Sequence, residues 1–168
     1  MKHDSIILIG MAGVGKSTIG RQLAVALDYR FIDLDTYITE RYDRTLQEII
    51  DKEGEAAFSE VERQCMYEIE LRRVVVAPGG SIIYHSDLMD YLGQRSTRVY
   101  LSDSFANISD RVVDQPRRGI VGLKEKTLEQ IFDERIERYS AYADLEMDCR
   151  DKQPESIVQE IIAWLKEK

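Results

Sequence analysis

Gly10-Met11-Ala12-Gly13-Val14-Gly15-Lys16-Ser17 fits the pattern G-x-x-x-x-G-K-[ST] with no mismatch. Its flanks fit as well. Ser5-Ile6-Ile7-Leu8-Ile9 is a short apolar run suited to a buried strand, and Thr18 onward reads as a helix. Strand, glycine loop and helix is the setting in which this motif cradles phosphate. Glycines let the backbone wrap closely, so that successive N–H groups converge on phosphate oxygens, and the positive end of the helix adds to that field. The expected nucleotide contacts are Gly13, Val14, Gly15, Lys16, Ser17 and Thr18. Lys16 is expected to reach the β- and γ-phosphates and the Ser17 hydroxyl to hold Mg2+.

The bulk composition narrows what such a chain can be. With 168 residues, 43% hydrophobic and 32% charged, it is long enough for one domain with a substantial core and too apolar to stay disordered. No apolar run approaches a membrane span, and Met1-Lys2-His3-Asp4 leads straight into the first strand, so a cytoplasmic protein is expected. A net charge of −8 argues against a broad nucleic-acid surface. Any anionic ligand must therefore be gathered in a local basic pocket. Cys65 and Cys149 form neither a disulfide framework nor a metal-spaced cluster, and Cys65 reads as a small core residue.

Strands and helices alternate along the rest of the chain. Ile19, Leu23, Ala26 and Leu27 recur at helical spacing, and Phe31-Ile32-Asp33-Leu34-Asp35 reads as a second strand ending in acid. Leu46, Ile49 and Ile50 mark a helix stopping near Gly54; Phe58, Val61, Cys65 and Ile69 line the next. Val74-Val75-Val76-Ala77 is a continuous β-branched run that breaks at Pro78-Gly79-Gly80. Arg98-Val99-Tyr100-Leu101 is a fourth strand and Leu145 to Met147 a fifth, before a last helix facing inward through Ile157, Val158, Ile161, Ile162 and Leu165. The alternation predicts an α/β fold, a parallel sheet with helices on both faces. Ligands collect at the carboxyl ends of such strands, where the glycine loop, the acidic pair and Gly79-Gly80 all fall.

Three segments carry further chemistry. Asp33 and Asp35, two apart at a strand end, are expected on one side, as a metal and acceptor-hydroxyl pair; the competing reading makes Asp35 a cap for a helix starting at Thr36. Between Leu128 and Tyr142, helical steps place Arg135 in the middle of a stripe made by Leu128, Ile131, Phe132, Tyr139 and Tyr142. A guanidinium held inward needs an anion: a structural one such as Glu62, or, as we favour, a ligand carboxylate or phosphate. The segment 113–126 holds Pro116, Arg117, Arg118, Gly119 and Gly122, which suits a lid over phosphates as well as it suits an ordinary solvated loop. Arg111 just before it reads equally as a surface charge. His3 and His85 read as solvent-facing or turn residues.

Together these residues resemble the shikimate kinase family of P-loop kinases, from the glycine loop to the last helix. FIDLD resembles its D-x-D, Gly54-Glu55-Ala56-Ala57-Phe58 its GE-x-x-F, Gly79-Gly80 two positions of its glycine triplet, and Arg135 with Tyr139, Ala143 and Asp144 its substrate-carboxylate pattern. The resemblance implies a three-layer P-loop kinase fold, a single domain over residues 1–168 with a five-stranded parallel sheet in order 2-3-1-4-5. A substrate-binding helical segment would run over about 35–72 and a lid over about 113–126. It implies ATP and Mg2+, with Lys16, Asp35 and Arg118 catalytic and with Ser17 and, through water, Asp33 on the metal. Arg111 would stack on adenine, Arg118 steady the phosphates, and Asp35, Gly79, Gly80 and Arg135 bind the substrate.

Three positions depart from that pattern. Ser59 stands where the family's F-R-x-x-E has arginine, Ser81 replaces the third glycine, and the lid reads Arg117-Arg118-Gly119-Ile120-Val121 in place of R-P-L-L. The expected activity is phosphoryl transfer from ATP to a small-molecule hydroxyl, with shikimate as the default acceptor. The alternatives are the same reaction on another small alcohol and, from a different class, a nucleotide-binding regulatory module without turnover. No nucleic-acid or membrane partner is expected, and the protein is expected to be a monomer.

Overall fold

The computed structural model describes residues 3–113 and 120–168. Five parallel strands form one sheet in the order β2-β3-β1-β4-β5, the order expected. They are β1 (Ser5–Ile9), β2 (Arg30–Asp33), β3 (Val74–Ala77), β4 (Thr97–Ser102) and β5 (Leu145–Asp148). β1 and β3 are buried along their whole length, which is why both are written as unbroken apolar runs. Registers Ile7↔Val76 and Asp33↔Ala77 bring the ends of β1, β2 and β3 to one edge of the sheet.

Alternate strand residues feed two cores. Ile6, Leu8, Val75, Val99 and Leu101 pack beneath α1 (Lys16–Leu27) and α8 (Pro154–Lys166). Ile7, Ile9, Val74, Val76 and Tyr100 face the opposite layer. That layer holds α2 (Leu34–Tyr42), α3 (Leu46–Glu53), α4 (Glu55–Glu68), α5 (Ser86–Gly93), α6 (Phe105–Val113) and α7 (Leu128–Tyr142). Local signals start the helices. Thr45 with Glu48 and Thr127 with Gln130 close reciprocal capping boxes at α3 and α7, and Pro154 opens α8. Among the described residues no helix is long and apolar enough to cross a membrane.

Three expectations need correction. The second strand stops at Asp33, so Asp35 lies in the first turn of α2 and not on a strand end. On α1 the buried stripe is Ile19, Gly20, Leu23 and Ala24, with Ala26 turned to solvent. After Pro78-Gly79 the chain forms a short 3-10 helix, Gly80–Tyr84, and then α5, two elements that local pattern did not disclose.

Candidate active site

The glycine loop passes from the end of β1 into α1 with Gly15 as the capping residue at φ 103°, a left-handed conformation that a side chain would strain. Lys16, the first residue of α1, is 9% exposed and donates to the carbonyls of Gly10 (2.8 Å) and Met11 (2.9 Å). Its ammonium is thus laid along the inside of the loop. Gly13, Gly15, Lys16, Ser17 and Thr18 line one cavity together. Val14 is turned away: its side chain joins the α1 core and its N–H is bonded to the Met11 carbonyl at 3.3 Å.

Asp33 and Asp35 open into the same cavity by a route other than strand alternation. Asp33 is the cap of α2, accepting from the Thr36 N–H at 3.3 Å, so the capping role falls to Asp33 and not to Asp35. The other oxygen of Asp33 accepts from Ser17 Oγ at 2.5 Å. A hydroxyl and a carboxylate oxygen side by side are hard donors of the kind Mg2+ takes when phosphate and water supply its remaining ligands. Asp35 lines the cavity together with Phe58 and the 78–81 turn.

That turn has no spare room. A methyl group on Gly79 would sit 2.2 Å from Glu62 Oε1, and one on Gly80 would sit 2.9 Å from the Tyr139 hydroxyl and 3.0 Å from Arg135 Nη1. The Tyr139 hydroxyl donates to the Gly80 carbonyl at 2.7 Å, and burial raises that phenol far above its ordinary pKa, keeping it a donor. Ser81, where a third glycine was looked for, donates to Glu62 Oε2 at 2.6 Å.

Arg135 occupies the buried face of α7 with Ile131 and Tyr139, as the helical stripe required, and is 2% exposed. Its guanidinium donates to the Val121 carbonyl (2.9 Å) and the Tyr84 hydroxyl (3.4 Å), and lies 5.4 Å from the Tyr84 ring centroid. Both oxygens are neutral. Among the described residues no carboxylate reaches ion-pair distance of it; Glu62, the structural partner considered, is bonded to Ser81 instead. Arg135 lines the same cavity as the glycine loop, so a ligand that enters meets its charge.

The other candidate basic residues are settled in other ways. Arg111 pairs with the buried Asp103 at 2.9 Å and donates to the Gly13 carbonyl at 3.3 Å, which fastens it to the glycine loop. Arg63 is held outside the site by Asp87 and Glu60. Ser59 shares a 2.8 Å hydrogen bond with His85 Nε2, so His85 is half-buried and joins α4 to the head of α5. Arg117 and Arg118 lie outside the described residues. Of the lid segment, Ile120 and Val121 line the cavity, and the Gly122 N–H donates to Glu55 Oε2 at 3.0 Å. The places of Tyr84 and Val121 in the site were not anticipated, and Glu62 was considered as a partner of Arg135 where the structure pairs it with Ser81. Only Glu62 had a signal in the sequence, as an acid one turn after Phe58 on an apolar face.

A family model described as shikimate kinase matches residues 12–166. The chain belongs to the shikimate kinase family. It is 34% identical over 169 residues to a shikimate kinase of Staphylococcus aureus strain MRSA252, covering 99% of this chain and 97% of that protein. It is 32% identical to one of Enterococcus faecalis strain V583, covering 98% and 99%. Among solved structures, a shikimate kinase from Acinetobacter baumannii in complex with shikimate superposes with a TM-score of 0.87 at 27% identity, covering 97% of this chain and 93% of that one. Ser59 and Ser81, the positions that depart from the pattern the sequence resembles, have visible local partners in His85 and Glu62.

Proposed function

We propose that the protein is a shikimate kinase, moving the γ-phosphoryl group of ATP onto a hydroxyl of shikimate to give shikimate 3-phosphate. The observation that carries this reading is Arg135, a buried guanidinium with neutral partners that lines one cavity with the phosphate loop and Asp35. Such a group suits a carboxylate gripped by two N–H donors. A carboxylate there leaves the rest of a small ring lying toward Asp35, whose carboxylate orients the attacking hydroxyl and takes its proton. Lys16, held along the glycine loop, balances charge building on the transferred phosphoryl group. Ser17 and Asp33 would hold Mg2+, which when bound neutralises charge on the β- and γ-phosphate oxygens. Arg111 suits the nucleotide side, beside Gly13. Gly79 and Gly80 give the acceptor a close approach to backbone, and Arg118 on the lid completes the phosphate site in this reading. A single domain, a monomeric state and a cytoplasmic location complete the proposal.

A second reading rests on Ser59. Arg63 is tied to Asp87 and Ser59 to His85, and among the described residues Arg135 is the one guanidinium that lines the cavity. This favours an acceptor with a smaller or absent acid group. ADP release should be measured with shikimate, quinate and a panel of polyols, on the wild type and on Ser59→Arg. The shikimate reading expects shikimate to be the best acceptor and the substitution to bring little gain. A tenfold or greater fall in the shikimate KM, about 1.4 kcal/mol, would move the assignment to another alcohol. Tight ATP binding with no acceptor-dependent turnover would instead point to a regulatory module.

A further inference from the structure

Glu62 is fully buried in the acceptor half of the cleft, and the reaction as proposed gives it no task. It sits on the inner face of α4, one turn after Phe58 and one turn before Met66. One oxygen, Oε2, accepts from Ser81 Oγ at 2.6 Å; the other, Oε1, is buried and among the described residues has no hydrogen-bond partner. Oε1 presses on Gly79, where a methyl group would sit 2.2 Å away. The carboxyl is therefore wedged behind the turn that forms the acceptor wall, and Tyr139 holds the same turn through the Gly80 carbonyl.

Among the described residues the charged groups around it are few. Asp35 faces it from α2, Arg135 from α7 and Lys16 from α1; Cys65 lies on its own helix, and the Tyr139 phenol lies beyond Gly80. Burial opposes ionisation most and Asp35 adds to it, so that the group is pushed up to about 7; the hydrogen bond from Ser81, then Arg135 and Lys16, favour the ionised carboxylate. An orphan carboxyl oxygen in such a place is costly as a bare anion and much less so once it carries a proton.

Resting on the proposed function, in which the acceptor is an acid bound by Arg135, we propose that Glu62 is a positioning residue whose protonation is coupled to acceptor binding. An anion docked on Arg135 screens the guanidinium from Glu62 and removes one of the two cationic supports of its charge. A proton then passes from solvent to Oε1, while Oε2 keeps the hydrogen bond from Ser81. The neutral carboxyl relieves the repulsion on Asp35 and braces Gly79 without an uncompensated buried charge behind it. Ser81 sets the pH at which this happens, because its hydrogen bond favours the ionised form. By linkage, acceptor affinity is highest where Glu62 is already protonated and falls as pH rises through its ionisation.

Calorimetric titration with shikimate, without nucleotide, in buffers of differing ionisation enthalpy measures proton uptake directly. The wild type should take up a fraction of a proton near pH 7.5, and its shikimate Kd should rise roughly three- to tenfold between about pH 6.5 and 8.5. Glu62→Gln should abolish both effects while leaving the KM for ATP unchanged. Ser81→Ala, which keeps the acid and removes its donor, should move the fall in affinity to higher pH, and it serves if Glu62→Gln does not fold. Binding without proton uptake, or an unaltered pH profile in either variant, overturns the coupling and leaves the acceptor assignment standing. No shikimate binding at any pH overturns the acceptor assignment itself.

Discussion

Arg135→Lys separates a guanidinium that grips a ligand from one that only props up the fold. The substitution keeps a cation on the buried face of α7 but removes the planar fork. In the wild type the fork donates to the Val121 carbonyl at 2.9 Å and the Tyr84 hydroxyl at 3.4 Å, and it lines the cavity. An ammonium, with a shorter reach and no planar fork, cannot keep the Val121 bond and also hold both oxygens of a carboxylate. Losing one charge-assisted hydrogen bond costs about 1.5–3 kcal/mol, so the shikimate KM should rise roughly ten- to a hundredfold. The lost packing and backbone bond should cost about 1 kcal/mol more in stability, a fall in Tm of about 2–4 °C. Coupled ADP-release assays with shikimate and ATP titrated separately read the two KM values, and thermal denaturation reads the third quantity. The KM for ATP should hold, because Lys16 and the glycine loop are untouched. A lowered Tm with an unchanged shikimate KM would show Arg135 to be a structural residue and refute the reasoning.

Asp35→Asn removes the proposed proton acceptor while keeping its shape, and kcat should fall by about a hundredfold or more with ATP binding retained by calorimetry. Gly79→Ala drives a methyl group into Glu62 Oε1, 2.2 Å away, and should destabilise the protein by about 1–3 kcal/mol in denaturant titrations. Ser17→Ala takes away one oxygen of the Ser17–Asp33 pair and should raise the Mg2+ concentration needed for half-maximal rate; chelating Mg2+ should stop turnover in the wild type. Glu62 is held near 7 in the fold against about 4.5 in its ordinary state, so between these values the native protein binds more protons than the unfolded chain. Stability should therefore fall as pH rises through that window, and Glu62→Gln should flatten the fall in denaturation curves taken across it.

The architecture was legible where one residue property decides structure. β-branched runs marked the covered strands, the glycine loop marked the β1–α1 turn, and the 3.6-residue period put Arg135 on the inner face of α7. Legibility ended where structure depends on the competition between elements. Phe31-Ile32-Asp33-Leu34-Asp35 reads as one strand, yet the Asp33 side chain caps α2 and turns the chain two residues early. Ile82 and Ile83 are apolar enough for several structures, and only the three-dimensional surroundings select a 3-10 turn there. The Val121 carbonyl could not have been assigned to Arg135 from residue type, because every residue carries a carbonyl. Glu62 and Ser81 are 19 positions apart, and nothing local in either segment announces the other.

Phosphorus NMR of the purified protein mixed with Mg-ATP and shikimate tests the central claim most directly. The account predicts that the γ-phosphate signal is replaced, one for one, by a phosphomonoester on shikimate, and that omitting shikimate leaves ATP intact. ATP persisting in the presence of shikimate, or its γ-phosphate appearing as orthophosphate at a rate indifferent to shikimate, would contradict it.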